Sequence, residues 1–181
     1  MHFKADKKVY IRRTLFVLLI AVTAAFQHTG GAIPTVFGAK AMILIPAVVA
    51  VSMFQKSMSG LVFGAFAGIL WDFATVRGDG FFSVMLALTG YLTCVLMTYY
   101  LRNNIYSATI ISFAANIIVN TCYWFIFIFL KGYDDSVQLL LDFYLPSAVY
   151  SSLFILLYYF IVSATVKLTT ADKKITYSGL S

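Results

Sequence analysis

Six apolar stretches separated by short polar turns occupy most of this chain of 181 residues. They run over Thr14 to Phe26, Ala41 to Phe54, Met58 to Val76, Phe81 to Leu101, Ile105 to Leu130 and Leu139 to Val166. A helix needs about 20 apolar residues to cross the hydrocarbon core of a bilayer. The first two stretches are shorter, so we expect them to extend into the segment between them, with Pro46 kinking the second. The pattern predicts an all-α polytopic membrane protein with six transmembrane helices.

The composition agrees with a lipid bilayer as the environment. Hydrophobic residues make up 61% of the chain, charged residues make up 11%, and the mean hydropathy is +0.89. A soluble domain has about a quarter of its residues charged. The net charge of +6 is typical of basic cytoplasmic loops and does not indicate a nucleic-acid partner. Cys94 and Cys122 both lie in apolar stretches, so we interpret them as buried thiols and expect no metal site and no cofactor.

The basic residues predict the orientation of the spans. With six spans and a cytoplasmic amino terminus, ten basic residues lie inside: Lys4, Lys7, Lys8, Arg12, Arg13, Lys56, Arg102, Lys167, Lys173 and Lys174. Only Lys40, Arg77 and Lys131 then lie outside, which is a clear positive-inside bias. We therefore expect one integral membrane domain over residues 1–181, with a cytoplasmic basic head at 1–13, six spans within 14–166 and a cytoplasmic tail at 167–181. A cleaved signal peptide is the alternative for the first stretch.

The third stretch carries glycines at a four-residue spacing and then a carboxylate. Gly60, Gly64, Gly68 and Asp72 lie on one narrow stripe of a helix, and we call these four residues the glycine stripe. Small residues at this spacing let a neighbouring membrane helix approach until the backbones touch. The stripe is interpreted either as packing between helices of this chain or as an interface with a partner. Asp72 is either a hydrogen-bonding or ion-pairing site, with Arg77 or a partner's basic residue, or a helix-end carboxylate that caps neighbouring backbone amides or reaches water at the lipid head groups.

A second polar face lies on the fifth stretch, where Asn116 and Asn120 are one helical turn apart and Tyr123 follows. Polar side chains within a span are costly and tend to face protein or a cavity. Interhelical hydrogen bonding within the bundle is the favoured interpretation.

The sequence carries none of the common catalytic motifs. It has no glycine-rich phosphate loop before a lysine, no G-x-S-x-G and no H-E-x-x-H, and its loops are too short for a soluble catalytic domain. An intramembrane enzyme would need a second titratable group beside Asp72, and Arg77 and Asp79 are the nearest in sequence. We therefore expect the chain not to be an enzyme.

The segment from Ser59 to Leu92 resembles the signature region of the rod shape-determining protein MreD family. That pattern is a Gly-xxx-Gly-xxx-Gly helix leading into an intramembrane Asp, a turn with glycine, and an apolar helix ending in Gly-Tyr. The matching residues are Gly60, Gly64, Gly68, Asp72, Gly78, Gly80, Gly90 and Tyr91. The resemblance extends over most of the chain, including the basic head and Gln27 at the end of the first span. It departs from the family in having Trp71 where Leu is commonest, and in a long, tyrosine-rich sixth span.

The resemblance implies a non-enzymatic component of the machinery that builds lateral cell wall in the bacterial cytoplasmic membrane. Its partners would be MreC and, in the same membrane complex, MreB, RodA and a class B penicillin-binding protein. The family is also similar to the six-helix substrate-binding subunits of energy-coupling-factor vitamin transporters, which is our expectation for the fold. The alternative function is such a subunit, with Ala21 and Ala25 docking on the transport motor and with Asp72, Asn116 and Asn120 lining an outward pocket.

Overall fold

Six apolar helical segments, which correspond to the six apolar stretches of the sequence, build the fold. The computed structural model describes residues 3–29, 41–75, 79–101, 103–132 and 136–170. The helices are α1 (Phe3–His28), α2 (Leu44–Met53), α3 (Ser57–Ala74), α4 (Phe81–Tyr99), α5 (Ile105–Phe127), α6 (Ser136–Leu139) and α7 (Leu145–Thr170). A 3₁₀ turn at Phe129–Lys131 follows α5, and a π-helical turn at Leu140–Tyr144 joins α6 to α7. Within these residues every regular element is helical.

Within the described ranges, four helical segments are long and apolar enough to cross a membrane. They are Val9–His28, Phe81–Tyr99, Ile105–Lys131 and Val137–Thr169, and the shorter apolar helices are Leu44–Met53 and Met58–Ala74. The protein is therefore a multi-pass α-helical membrane protein. Crossing of the bilayer by the two shorter helices stays a prediction.

One end of the bundle, which we call the Asp72 end, is joined by aromatic contacts. The ring pairs there are His28 with Trp71 at 5.3 Å, Trp71 with Phe82 at 4.6 Å, Phe82 with Tyr123 at 5.5 Å and Tyr123 with Tyr144 at 6.2 Å. These contacts bring the last turns of α1, α3 and α5 together with the first turn of α4 and the turn before α7.

The opposite end, which we call the Gly60 end, joins the other helix ends. The Sγ of Cys94 on α4 donates to the carbonyl oxygen of Ser52 on α2 at 2.9 Å, and Gly60 of α3 lies against the same cysteine. Phe54, just after α2, packs on Tyr159 of α7 at 5.9 Å between ring centroids. The six segments thus alternate in direction, so the start of α1 and the end of α7 lie at the same end of the bundle.

Helix α2 lies at the centre of the bundle. All ten of its residues are buried, and it contacts α1, α3, α4, α5 and α7. At 1.5 Å per residue it is about 15 Å long, which is half the hydrocarbon thickness. The expectation of a kink at Pro46 was wrong, because Pro46 lies in the first turn of α2, where a proline removes no intrahelical hydrogen bond.

Side chains from distant helices satisfy the backbone at the buried start of α2. The Gln27 side chain donates to the carbonyl oxygen of Ala41 at 2.9 Å and accepts from the amide of Ile43 at 2.8 Å. The amide of Met42 donates to the Ser151 hydroxyl at 2.7 Å. A helix end without such partners would be expensive inside a membrane protein.

The last segment is a continuous helical run that contains one π-helical turn. Pro146 has no N–H to donate to the carbonyl of Asp142 four residues earlier, and the π-helical turn lies directly before it. The predicted sixth span, Leu139 to Val166, therefore contains the end of α6, the π turn and most of α7.

Several residues used in the sequence argument lie outside the described part of the chain, as does the expected extension of the first two spans. They are Lys40, Arg77, Gly78, Arg102, Lys173 and Lys174.

Candidate functional site at the Asp72 end

The glycine stripe packs α3 directly against α4. A Cβ placed on Gly64 would come within 3.0 Å of the carbonyl group of Leu86 and the Cα of Ala87, and real Cβ atoms do not make such contacts. A Cβ on Gly68 would meet the backbone of Phe82 and Ser83 equally closely. Only glycine allows this approach, so the described contacts show the stripe as packing within this chain.

The same contact continues to the Gly60 end. Gly60 and Gly90 face each other so closely that a Cβ on either one would collide with the backbone of the other. The Cys94 side chain also occupies the space beside Gly60. Tyr91 follows Gly90 but is only half-buried, and it is not among the atoms nearest to these glycines.

Asp72 caps the start of α4 from across the hairpin. Its carboxylate accepts hydrogen bonds from the amides of Phe82 at 3.3 Å and Ser83 at 2.8 Å, and from the Ser83 hydroxyl. The helix's own N-cap residue is Gly80, which has φ of +70° and no side chain to do this. A carboxylate also interacts favourably with the positive end of a helix dipole. Of the two interpretations of Asp72, the structure shows the capping role.

A small cavity adjoins Asp72 at this end. Its volume is about 80 Å³, and its lining residues are Asp72, Thr75, Asp79, Phe81, Phe82, Tyr123 and Phe127. Thr75 donates its hydroxyl to the Asp72 carbonyl oxygen at 3.1 Å, and Asp79 is exposed. The cavity therefore combines carboxylate oxygens with aromatic rings.

Asn116 and Asn120 do not join this cavity, and their expected interhelical hydrogen bonds were wrong. Both are buried, and their amide groups donate to carbonyl oxygens one turn back on α5, those of Ser112 and Asn116. Such back-bonding keeps the amide donors within their own helix. The Oδ1 atoms of both asparagines have no hydrogen-bond partner among the described residues.

The described residues contain no group of three or more His, Cys, Asp or Glu side chains that could hold a metal ion. His28 packs edge-on against Trp71. Cys94 is buried and Cys122 is half-buried, and both are free thiols.

No family model, curated protein or solved structure matches this chain. The geometry of the site therefore carries the functional argument.

Sequence reasoning did not assign a role to Ser83 or Ser151 and used Gln27 only for the resemblance. The sequence does contain a signal for Ser83. It is the third residue of a helix whose N-cap is glycine, so its backbone amide needs an acceptor from elsewhere in the protein. Gln27 and Ser151 show no comparable local signal, because each bonds to backbone far away in sequence.

Proposed function

We propose that this protein is a non-enzymatic membrane scaffold of the lateral cell-wall synthesis machinery, related to the MreD family. One observation carries the proposal. Five of the residues that bear the resemblance lie at the α3–α4 contact: Gly60, Gly64, Gly68 and Gly90 bring the two helices together, and Asp72 joins the end of α3 to the start of α4. A rigid hairpin with both backbones in contact is suited to holding fixed surfaces toward other membrane helices.

The surfaces that remain for partners are the outward faces of the hairpin, because α4 covers the glycine stripe itself. On α3 the exposed apolar residues include Val62, Ile69 and Phe73. On α4 they include Val84 and Leu88. In this proposal the spans of MreC or RodA pack on these outward faces, with MreB and the class B penicillin-binding protein in the same complex.

The transporter alternative requires a larger site than the described cavity. Pockets for vitamin-sized molecules measure about 300 to 1,000 Å³, whereas the cavity beside Asp72 has about 80 Å³. Asn116 and Asn120 do not line it. This cavity therefore does not fit the outward pocket that the transporter alternative expects.

Co-purification in mild detergent tests the proposal. The chain, tagged at its carboxyl terminus, is expected to recover MreC and RodA from membranes of its source cells. Recovery of an ATPase transport motor without wall-synthesis proteins would overturn the scaffold.

A variant series then locates the contact. Bulky polar substitutions on the outward face, Val62→Gln on α3 and Leu88→Gln on α4, are expected to reduce recovery of the partners while the protein stays folded. The matched control is Leu153→Gln on α7, which is exposed to a similar extent as Val62 but lies on another helix.

A further inference from the structure

We propose that the Gly60 end carries a binding site for the phosphate of an anionic lipid, between Arg12 of α1 and Lys56 at the start of α3. This inference goes beyond the scaffold function and does not rest on it. It follows from where the fold places positive charge, and it names a ligand chemistry, a phosphodiester head group with a net negative charge.

The alternating direction of the helices gathers positive charge at the Gly60 end. The described basic side chains there are Arg12, Arg13, Lys56 and Lys167. The described acidic side chains all lie at the other end of the bundle, and they are Asp72, Asp79 and Asp142. Among the side chains that the structure describes, the cations of the Gly60 end therefore have no carboxylate beside them.

The contact between α1 and α3 brings two of these cations onto facing stripes. Phe16 of α1 packs on Phe63 of α3 at 6.1 Å between ring centroids, and the two helices run in the same direction. Arg12 lies one turn before Phe16, and Lys56 lies two turns before Phe63, so each is on the face that carries its ring. At 1.5 Å per residue they lie about 6 Å and about 10.5 Å beyond the ring pair. This difference in level is shorter than a lysine side chain.

Two hydrogen-bond donors beside this contact lack an acceptor. The Nε of Arg12 and the Nε2 of Gln55 are buried, and neither has a hydrogen-bond partner among the described residues. The helical period places Asp6, the acidic residue of the basic head, on a different face of α1 from Arg12. A guanidinium keeps its charge, and a buried donor without an acceptor is costly. An anion between α1 and α3 would satisfy both donors and separate the like charges of Arg12 and Lys56.

The level of the site identifies the anion as a lipid phosphate. Tyrosine in membrane proteins concentrates at the level of the lipid head groups. The exposed tyrosines of the Gly60 end are Tyr10, Tyr99, Tyr100 and Tyr106. Tyr10 comes two residues before Arg12, which places Arg12 at the depth of the phosphates. Lys4, Lys7 and Lys8 precede it in α1, and basic clusters directly beyond a membrane span attract anionic lipids.

Equilibrium binding of labelled lipids tests the proposal. The full chain is immobilised in detergent and titrated with fluorescently labelled phosphatidylglycerol, and phosphatidylcholine with the same label serves as the comparison. We expect saturable binding of phosphatidylglycerol that is about tenfold tighter or more, because two cations face its uncompensated phosphate. Equal binding of the two lipids would overturn the proposal.

Charge variants locate the site. Arg12→Gln and Lys56→Gln are each expected to weaken phosphatidylglycerol binding about fivefold, the effect of one basic residue near a lipid surface. The matched control is Lys167→Gln, which removes an exposed charge from the same end. Lys167 lies nine residues after the buried Tyr158, which is half a turn around α7, so it faces away from the bundle. We expect the control to change the affinity less than about twofold.

Two results would contradict this location. One is an unchanged affinity for Lys56→Gln, and because Lys56 is exposed, this variant tests the site even if Arg12→Gln fails to fold. The other is a loss for Lys167→Gln as large as the losses for Arg12→Gln and Lys56→Gln, which would show a diffuse effect of charge.

Two competition measurements separate the lipid from other anions. Inorganic phosphate at constant ionic strength is expected to leave phosphatidylglycerol binding unchanged, and displacement of the lipid would overturn it as the occupant in favour of a soluble phosphate compound. Asp172→Asn removes an acidic residue from the segment after α7 and is expected to have no effect. Tighter lipid binding by this variant would show that the chain's own carboxylate fills the site, which would also overturn the proposal.

Discussion

The most direct test of the α3–α4 contact is Gly64→Ala, which adds one carbon atom where the two backbones meet. The new Cβ would lie under 3.0 Å from the Leu86 carbonyl group and the Ala87 Cα, and ordinary contact begins at 3.4 Å. These are backbone atoms of a neighbouring helix, so no flexible side chain can move aside. The two helices must separate, which also loosens the contacts at Gly60 and Gly68.

The expected loss of stability follows from two opposing effects. Overpacking a close contact costs roughly 1 to 3 kcal/mol, and backbone atoms on the other side favour the upper half of that range. Replacing glycine by alanine inside a helix returns about 1 kcal/mol through helix propensity. Gly64→Ala is therefore expected to lower the free energy of unfolding by about 1 to 2 kcal/mol.

The assay is unfolding by SDS in mixed detergent micelles, followed by tryptophan fluorescence. The matched control is Val62→Ile, which also adds one carbon atom to α3 but at a residue that is 63% exposed. We expect the control to stay within about 0.5 kcal/mol of the original protein. If Gly64→Ala were as stable as the original protein or more stable, the backbones would not be in contact and the reasoning would fail.

Three further predictions concern the cap, the centre of the bundle and the topology. In a cell-shape complementation assay, Asp72→Asn is expected to keep most of the function, because its one amide oxygen can still accept from the Ser83 amide and hydroxyl and only the longer bond from the Phe82 amide is lost. Asp72→Ala loses every one of these bonds and about 0.5 to 2 kcal/mol of stability. Equal and complete loss in both would show that the charge itself is needed. Gln27→Leu removes the hydrogen bonds to the Ala41 carbonyl oxygen and the Ile43 amide at the start of α2. Detergent unfolding should then show a loss of stability of about 1 to 3 kcal/mol for each buried group left without a partner. The control Thr14→Ala, which removes an exposed hydrogen bond to Tyr10, should show little change. A reporter that is active only outside the cytoplasmic membrane, fused after Ser181, is expected to be silent, and a signal from it would contradict the cytoplasmic placement of both termini.

The glycine stripe is the part of the site that sequence predicts best, because helical periodicity alone places its four residues on one face. What covers that face is not readable from spacing, since a partner helix and a neighbouring helix of the same chain need the same small residues. The role of Asp72 was open for the same reason. Its hydrogen-bond partners are Phe82 and Ser83, because α4 starts directly after Gly80 and places their amides beside the end of α3.

Helix α2 shows where hydropathy fails. Its sequence is apolar whether it faces lipid or protein, so the pattern predicted a span like the others and could not predict a helix buried on every side. The predicted first span lies within a longer helix. The helix α1 begins at Phe3, before the apolar part, because lysine and arginine are good helix formers and extend the helix into the basic head.

The hydrogen bond between Met42 and Ser151 joins residues 109 positions apart in the chain. During synthesis the start of α2 therefore remains without this acceptor until the final helix has been made. Contacts of such large sequence separation form late, and the intermediates that precede them expose unpaired polar groups to chaperones and proteases. Chains truncated before α7 should consequently be degraded in the cell, even though they would contain the complete α3–α4 hairpin.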